Sequence, residues 1–350
     1  MQIDFHHATT YVLARLAGFD AAQAGTIAHA AQYVDDATSS GDVHFENKAL
    51  YRRISSAHKM VDLRNTKEAA NHLVWLPFHF LPGNDGLPAD GHSDSFIHKI
   101  VCRPNSHVAQ DMVRQCIVDQ GRSYGLHRLG VTMHVYADTW AHQGFAGVLH
   151  TINDVEDAKE TGNSGVFSHL GDFLRDALDD AIPPLGHGRA TDFPDMPFLS
   201  WQYVNGLGEL VQRNNTDDFC DASEHLYIAM KRYQSKNPDK TVAGIADPDM
   251  HALRDLFANT KLEKGEDRHA VWLEAIANGV FSFGAENISY QAKGRGSWKD
   301  RALGTSFDLP VHTYKSDFLD SDWKLFHDAV QAHRFYVIHD LLPHYGICAA

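Results

Sequence analysis

Apolar residues recur at helical spacing along most of the chain, and this spacing predicts a series of amphipathic helices. In one clear case, Val108, Met112 and Cys116 share a face behind Ser106, a residue type that favours the N-cap position. The predicted helices are 9–16, 21–34, 69–75, 106–120, 126–142, 167–181, 199–212, 219–234, 250–257, 270–281 and 323–342. Alternating strand-like runs are nearly absent, so the pattern predicts an all-α, multi-helix globule with irregular loops.

A long irregular connection is predicted over residues 284–310, where glycine and polar residues interrupt the helical pattern. It divides the chain into a helical domain, residues 1–283, and a C-terminal piece, residues 284–350, that packs on it. A single domain is the alternative, and 350 residues suffice for either arrangement.

Charge and composition exclude several protein classes. The 31 basic and 45 acidic residues give a net charge of −14, which argues against a general nucleic-acid binder. The chain contains no run of about 18 apolar residues, so the sequence predicts no integral membrane segment. The beginning of the chain lacks the pattern of a secretory signal, which favours a cytoplasmic location and leaves export without a signal open. Four cysteines without a C-x-x-C pair predict free, mostly buried thiols.

The 24 histidines are the unusual feature of the composition, and they point to metal sites or proton chemistry. The most informative stretch places His134, Asp138 and His142 at i, i+4 and i+8 in an apolar segment. On an α-helix these three side chains share one face. Buried polar groups need partners, and the choice is between hydrogen-bonded core residues and metal ligands.

The spacing favours more than one metal ion. His134 and His142 are separated by about 12 Å along a helix axis, too far for one ion to bind both easily. His134 and Asp138 can share one metal, and His142 can bind a second, with Asp138 as a bridging carboxylate. Paired metals about 3.5–4 Å apart are the usual arrangement for hydrolysing phosphate esters.

Further candidate ligands lie outside this segment, each with an ordinary structural alternative. They are His6 and His7 before the first helix, Asp35 and Asp36 at the end of the second, His58, His79 between prolines, His187 between glycines, the alternative pair His169 and Asp172, and, more weakly, His44. Two acids at a helix C-terminus oppose the helix dipole, a cost that a cation would remove. His327, His333, His339 and His344 do not share one helical face and are predicted to lie on the surface or against a partner.

The arrangement of an N-terminal His, an acid ending the second helix and a buried H-x-x-x-D helix followed by a further His resembles the zinc-dependent phospholipase C group. It is also similar to the zinc-dependent single-strand nucleases of the same fold. Residues 134–145 resemble a poorly characterised bacterial branch of this group, and the resemblance covers roughly residues 1–200.

The resemblance implies an all-α fold with two or three zinc ions. It implies that His134 and Asp138 are ligands, that Asp138 bridges, and that His142 binds a second zinc. It further implies that His6 and Asp138 serve a third zinc and that His58 or His79 completes the first site. Asp36 would be the acid near the first zinc, and His187 or His169 would complete the second site.

The sequence therefore predicts a zinc-dependent phosphodiester hydrolase, with phospholipid head groups as the first expected substrate. Asp36 or Asp35 is the expected general base, and His79 is a ligand or proton donor. The alternatives are a nuclease or nucleotide phosphodiesterase, and a non-enzymatic module with structural zinc. A metal-dependent phosphohydrolase of the HD-domain kind is disfavoured, because the adjacent His339-Asp340 dyad lies near the C-terminus.

Overall fold

The computed structural model describes residues 1–57, 68–161, 186, 190 and 192–348. Helices predominate in these residues. They are α1 (Thr10–Ala17), α2 (Ala21–Asp36), α3 (Glu68–Phe78), α4 (Phe96–Ile100), α5 (His107–Val118), α6 (Gly125–Ala141), α7 (Asn215–Gln234), α8 (Asp247–Asn259), α9 (Gly265–Ala277), α10 (Trp298–Leu303), α11 (Asp322–Tyr336) and α12 (Leu342–His344). One π-helical segment, Asp4–Thr9, precedes α1, and another, Val337–Leu341, leads into α12.

Most of the predicted helices are confirmed. Ser106 caps α5 by accepting a hydrogen bond from the Ala109 amide, as its residue type predicts. α1 ends at Gly18, which adopts the left-handed conformation that favours glycine. The predicted helix 167–181 lies outside the described residues.

Two small antiparallel sheets contradict the all-α prediction, so the fold is mixed α/β. A hairpin pairs β1 (Gly41–His44) with β2 (Leu50–Arg53). A second sheet has the order β3 (Val155–Glu160), β4 (Ser200–Asn205) and β5 (Leu210–Asn214).

The predicted helix 199–212 is wrong because local turn chemistry overrides the apolar spacing. Trp201 and Tyr203 alternate with more exposed neighbours and bury their rings against the same small core. Asn205 closes the turn that follows, since its side-chain oxygen accepts from the amides of Leu207 and Glu209. Gly208 in that turn has a positive φ of 76°.

The centre of the molecule is the contact between α2 and α6. Gly130 lets the two helices approach closely: a Cβ added there would lie 2.4 Å from the Ile27 carbonyl oxygen and 2.6 Å from the Ala30 Cβ. This contact matters for the site described below, because α2 ends at Asp36 and α6 carries His134 and Asp138.

The C-terminal part of the chain packs against the N-terminal helices. Glu286 accepts hydrogen bonds from Tyr11 and Arg15, and Tyr290 donates to Asp36. One hydrophobic core includes residues from Met1 to Ile347, so the two predicted pieces share it.

Two observations bear on the predictions from composition. Cys102, Cys116 and Cys220 are buried free thiols. Among the residues that the structure describes, no helix combines the length and the apolar composition needed to cross a bilayer.

We expect Gly130→Ala to lower the free energy of unfolding by about 1–3 kcal/mol, because the added methyl group overpacks the α2–α6 contact. Urea unfolding followed by circular dichroism measures the effect. Gly25→Ala is the matched control, since a Cβ at this helical glycine meets nothing within 4 Å. We expect that change to stabilise the protein by about 0.5–1 kcal/mol. Equal effects of the two substitutions would contradict the close contact.

Candidate metal centre

Helix α6 presents His134 and Asp138 on one buried face, and His142 follows directly after its last turn. Asp138 Oδ2 lies 3.3 Å from His134 Nε2 and 3.6 Å from His142 Nδ1. The shared face expected from the i, i+4, i+8 spacing is therefore present, with the carboxylate between the two imidazoles.

His79 enters the same site from the end of α3. Its Nε2 bonds the backbone carbonyl of Ser56 at 3.0 Å, which turns Nδ1 toward the site. That Nδ1 lies 3.4 Å from Asp138 Oδ2 and 3.3 Å from His134 Nε2. The backbone carbonyl of His79 in turn lies 2.7 Å from His142 Nδ1, so the two histidines hold each other in place.

The two N-terminal histidines lie next to each other in the π-helical segment before α1, and their side chains point in different directions. His6 Nε2 lies 3.2 Å from Asp138 Oδ1, and the His6 ring stacks on His134 with centroids 3.8 Å apart. His7 points elsewhere and meets His269 at 2.9 Å. Of the two candidates, His6 is the one that faces the site.

Asp35 faces the site, whereas its sequence neighbour Asp36 bonds Tyr290 and Gln32 within the part of the chain that the structure describes. Asp35 Oδ1 lies 3.7 Å from His134 Nε2 and 3.8 Å from His79 Nδ1. Asp36 instead accepts a hydrogen bond from Tyr290 at 2.7 Å. Successive residues of a helix point about 100° apart, so only one of the two acids can face α6.

The buried imidazoles leave hydrogen-bonding capacity unused. Three ring nitrogens have no hydrogen-bond partner among the described residues: both nitrogens of His6, and Nδ1 of His134. Both side chains are fully buried. Buried polar atoms without partners are rare in proteins and call for a bound group or water. Donor atoms of His6, Asp35 and His134, and of His79, His134 and Asp138, lie within 4.8 Å of one another in each set. These nitrogen and oxygen donors fit zinc.

Asp195 completes the surroundings of Asp138 and was not predicted from the sequence. It lies on a short 3₁₀ turn, and its Oδ1 is 3.8 Å from His142 Nε2. The Met1 amino group lies 3.1 Å from Asp195 and 2.7 Å from Asp138. The only sequence signal was an acid between two prolines, Pro194 and Pro197, which does not distinguish it from a surface turn.

Arg268 connects the N-terminal segment to the Asp195 turn. Its fully buried guanidinium donates to Asp4 at 2.6 Å and to the backbone carbonyl of Asp195 at 3.2 Å. Because these bonds join the π-helical segment to the Asp195 turn, Arg268 positions both His6 and Asp195.

The end of β5 and the first residue of α7 have a positioning role as well. Asn215 donates to the backbone carbonyls of Phe193 and Met196, which fixes the turn that carries Asp195. Arg213 at the end of β5 donates to the carbonyls of Trp140 and Ala141 and so caps the C-terminus of α6 next to His142.

Electrostatics in the site centre on Asp138. Burial alone would raise the pKa of this carboxyl group, but His142, the Met1 amino group and His134 hold it well below its usual range. Burial alone would lower the pKa of the Met1 amino group, whereas Asp138 and Asp195 raise it to about 11. Burial and the neighbouring His6 lower the pKa of His134, which keeps the imidazole neutral, the form that binds metals.

Several predicted residues fall outside this group. His58, His187, His169 and Asp172 lie outside the described residues. His44 is exposed on β1, and His339 and Asp340 are exposed near the C-terminus. The predicted surface or partner position is wrong for His327 and His333, which are buried within the protein.

Comparison with known proteins gives a family but no activity. Residues 1–341 match a family of unknown function, DUF6765. No curated protein and no solved structure matches the chain.

We expect the purified protein to contain zinc and His134→Ala to lose most of it, because His134 belongs to both donor sets. Elemental analysis by mass spectrometry measures the metal content. His92→Ala is the control, since the His92 side chain is 90% exposed. Equal zinc in His134→Ala and the wild type would contradict the assignment of this site.

Proposed function

The chain belongs to the DUF6765 family, whose function is unknown, and we propose from the site itself that it is a zinc-dependent phosphodiester hydrolase. The observation that carries this proposal is the convergence of His6, His79, His134 and Asp138, with buried ring nitrogens of His6 and His134 that have no hydrogen-bond partner in the described part of the chain. A hydrogen-bonded core would use those nitrogens.

Two ions are supported better than one. Asp138 presents its two oxygens in different directions. Oδ1 faces His6 and the Met1 amino group, while Oδ2 faces His79, His134 and His142. A carboxylate in that position suits a bridging ligand. Two or three zinc ions therefore remain our proposal, with the third depending on His6.

Zinc supplies a water of lowered pKa and stabilises negative charge that develops on phosphoryl oxygens. The protein must hold the ions, admit substrate and accept the proton of the attacking water. The side chains of His6, His79, His134 and Asp138 are 0–6% exposed and suit the first task.

Asp35 is suited to admitting substrate and to accepting the proton of the attacking water. Its side chain is 35% exposed, so the site meets solvent at this carboxylate. Burial of its inner part raises the pKa of Asp35 to about 6, which still leaves it ionised at neutral pH. We propose Asp35 as the base that orients and deprotonates water, in preference to Asp36, which bonds Tyr290.

A structural zinc module is the rival from another class. Structural zinc sites are closed and usually have four protein ligands. The partial exposure of Asp35, and a donor group with more than four members, favour an open catalytic site. Among substrates, phospholipid head groups remain first, and nucleotides or nucleic acid second.

We expect Asp35→Asn to lower kcat for bis(4-nitrophenyl) phosphate by about 10²–10⁴-fold, the range that general base catalysis contributes. The Asp35→Asn variant should retain the zinc bound by His79, His134 and Asp138. Asp42→Asn is the control, because the Asp42 side chain is 49% exposed on β1.

Two results would count against this proposal in different ways. Unchanged kcat in Asp35→Asn would remove Asp35 as the base. A fully zinc-loaded wild type that hydrolyses no phosphodiester would favour the structural role of the metal.

A further inference from the structure

Each oxygen of the Asp35 carboxylate has its own neighbours. Oδ1 lies 3.7 Å from His134 Nε2 and 3.8 Å from His79 Nδ1, so it faces the candidate metal centre. Oδ2 accepts a hydrogen bond from the side-chain amide of Gln32 at 3.4 Å. Because the two oxygens of a carboxylate are fixed relative to each other, a partner on Oδ2 also sets the direction in which Oδ1 points.

Gln32 reaches Asp35 because both residues lie on α2. Gln32 precedes Asp35 by three positions and Asp36 by four, and residues at these spacings are neighbours on a helix surface. The same amide nitrogen donates to Asp36 Oδ2 at 3.5 Å. One NH₂ group therefore lies between the two carboxylates and bonds both.

The surroundings of the Gln32 amide explain its orientation. Gln32 is 7% exposed, and its Oε1 is buried without a hydrogen-bond partner among the residues that the structure describes. A buried carbonyl oxygen without a partner costs free energy. The reverse orientation would place Oε1 beside two negatively charged carboxylates, whereas the nitrogen donates to both. The two acids therefore orient the amide.

Tyr290 holds Asp36 from the C-terminal part of the chain. Its hydroxyl donates at 2.7 Å to Asp36 Oδ2, the same oxygen that accepts from Gln32. Burial and the charge of Asp36 raise the pKa of Tyr290 well above its usual value, so the hydroxyl stays protonated and donates. The Tyr290 ring lies against the rings of His7 and His29, with centroids 5.3 Å and 4.6 Å apart. These contacts keep Asp36 in place as a partner of Gln32.

Two adjacent acids at the end of α2 are costly in themselves. Asp35 and Asp36 repel each other, and both oppose the dipole at a helix C-terminus. The donors of Gln32 and Tyr290 offset this cost. Asp36 thereby has a role without facing the metal centre, since it anchors the amide that holds Asp35.

We propose that Gln32 and, through Asp36, Tyr290 are positioning residues for Asp35. They hold Asp35 Oδ1 toward the metal centre, where it accepts the proton of the attacking water. This inference rests on the proposed function. It gives the C-terminal part of the chain, which supplies Tyr290, a role in the site.

The first test measures hydrolysis of bis(4-nitrophenyl) phosphate by the zinc-loaded full chain. We expect Gln32→Leu to lower kcat by about tenfold, with KM and zinc content unchanged. This is the low end of the effect of one hydrogen bond to a charged group, because the Gln32 bonds are longer than the roughly 2.7–3.2 Å typical of N–H···O bonds. Tyr290→Phe should give a smaller loss of kcat, since Tyr290 acts through Asp36.

Two matched controls remove comparable hydrogen bonds elsewhere in the protein. Gln115→Leu removes an amide that donates at 3.1 Å to Asp119, four residues further along the chain. Tyr345→Phe removes a hydroxyl of the C-terminal part that donates to Asp111 at 2.6 Å. Both controls should keep the wild-type kcat. An unchanged kcat in Gln32→Leu, or an equal loss in the controls, would overturn the proposal.

A double variant separates positioning from general damage to the fold. If Gln32 acts through Asp35, Gln32→Leu should lower kcat no further in a chain that already carries Asp35→Asn, because the base is already lost. Loss of kcat by the same factor in both backgrounds would overturn the proposal. If Gln32→Leu does not fold, Tyr290→Phe takes its place in this comparison and in the next.

Crystal structures of the wild type and of Gln32→Leu give a readout that does not depend on hydrolysis. We expect Asp35 Oδ1 to face His134 and His79 in the wild type and to turn away in the variant. An unchanged Asp35 carboxylate in the variant would overturn the proposal.

Failure of the proposed function gives a different result. An Asp35 carboxylate that turns away in Gln32→Leu, in a zinc-loaded protein that hydrolyses no phosphodiester, would support the positioning role and contradict the hydrolase. Hydrolysis that Gln32→Leu leaves unchanged would do the reverse.

Discussion

The structure depends on the burial of one carboxylate. Asp138 is 1% exposed at the centre of the protein, and an ionised carboxylate there is costly unless positive charge and hydrogen-bond donors surround it. The Met1 amino group supplies positive charge 2.7 Å from Asp138, and the rings of His6 and His79 come from distant segments to lie around the same carboxylate.

The central motif could be predicted from the sequence because helical spacing alone fixes it. His134 and Asp138 had to share a face once α6 was recognised, and the apolar residues around them made that face buried. Whether Asp35 or Asp36 faces that motif could not be predicted, since it depends on how far α2 is rotated about its axis. That rotation is set by the contact at Gly130, which is a property of the folded pair of helices.

What the sequence did not reveal depends on long-range contacts. Asp195 looks like any turn residue, and it faces the site because Arg268 and Asn215 hold its turn through backbone carbonyls. The small sheets were missed for a related reason. β4 has only two buried aromatic residues on its inner face, Trp201 and Tyr203. The helical prediction arose because Leu199, Tyr203, Leu207 and Leu210 in the same stretch follow helical spacing.

The enclosure of the site has a consequence for how quickly an ion would exchange. His6, His134 and Asp138 are at most 1% exposed, and Asp35 is the donor in this described group whose side chain meets solvent substantially. An ion bound among these buried donors would be released through an opening of the protein around them. Its residence time would then follow the local opening of α2 rather than the strength of its bonds alone.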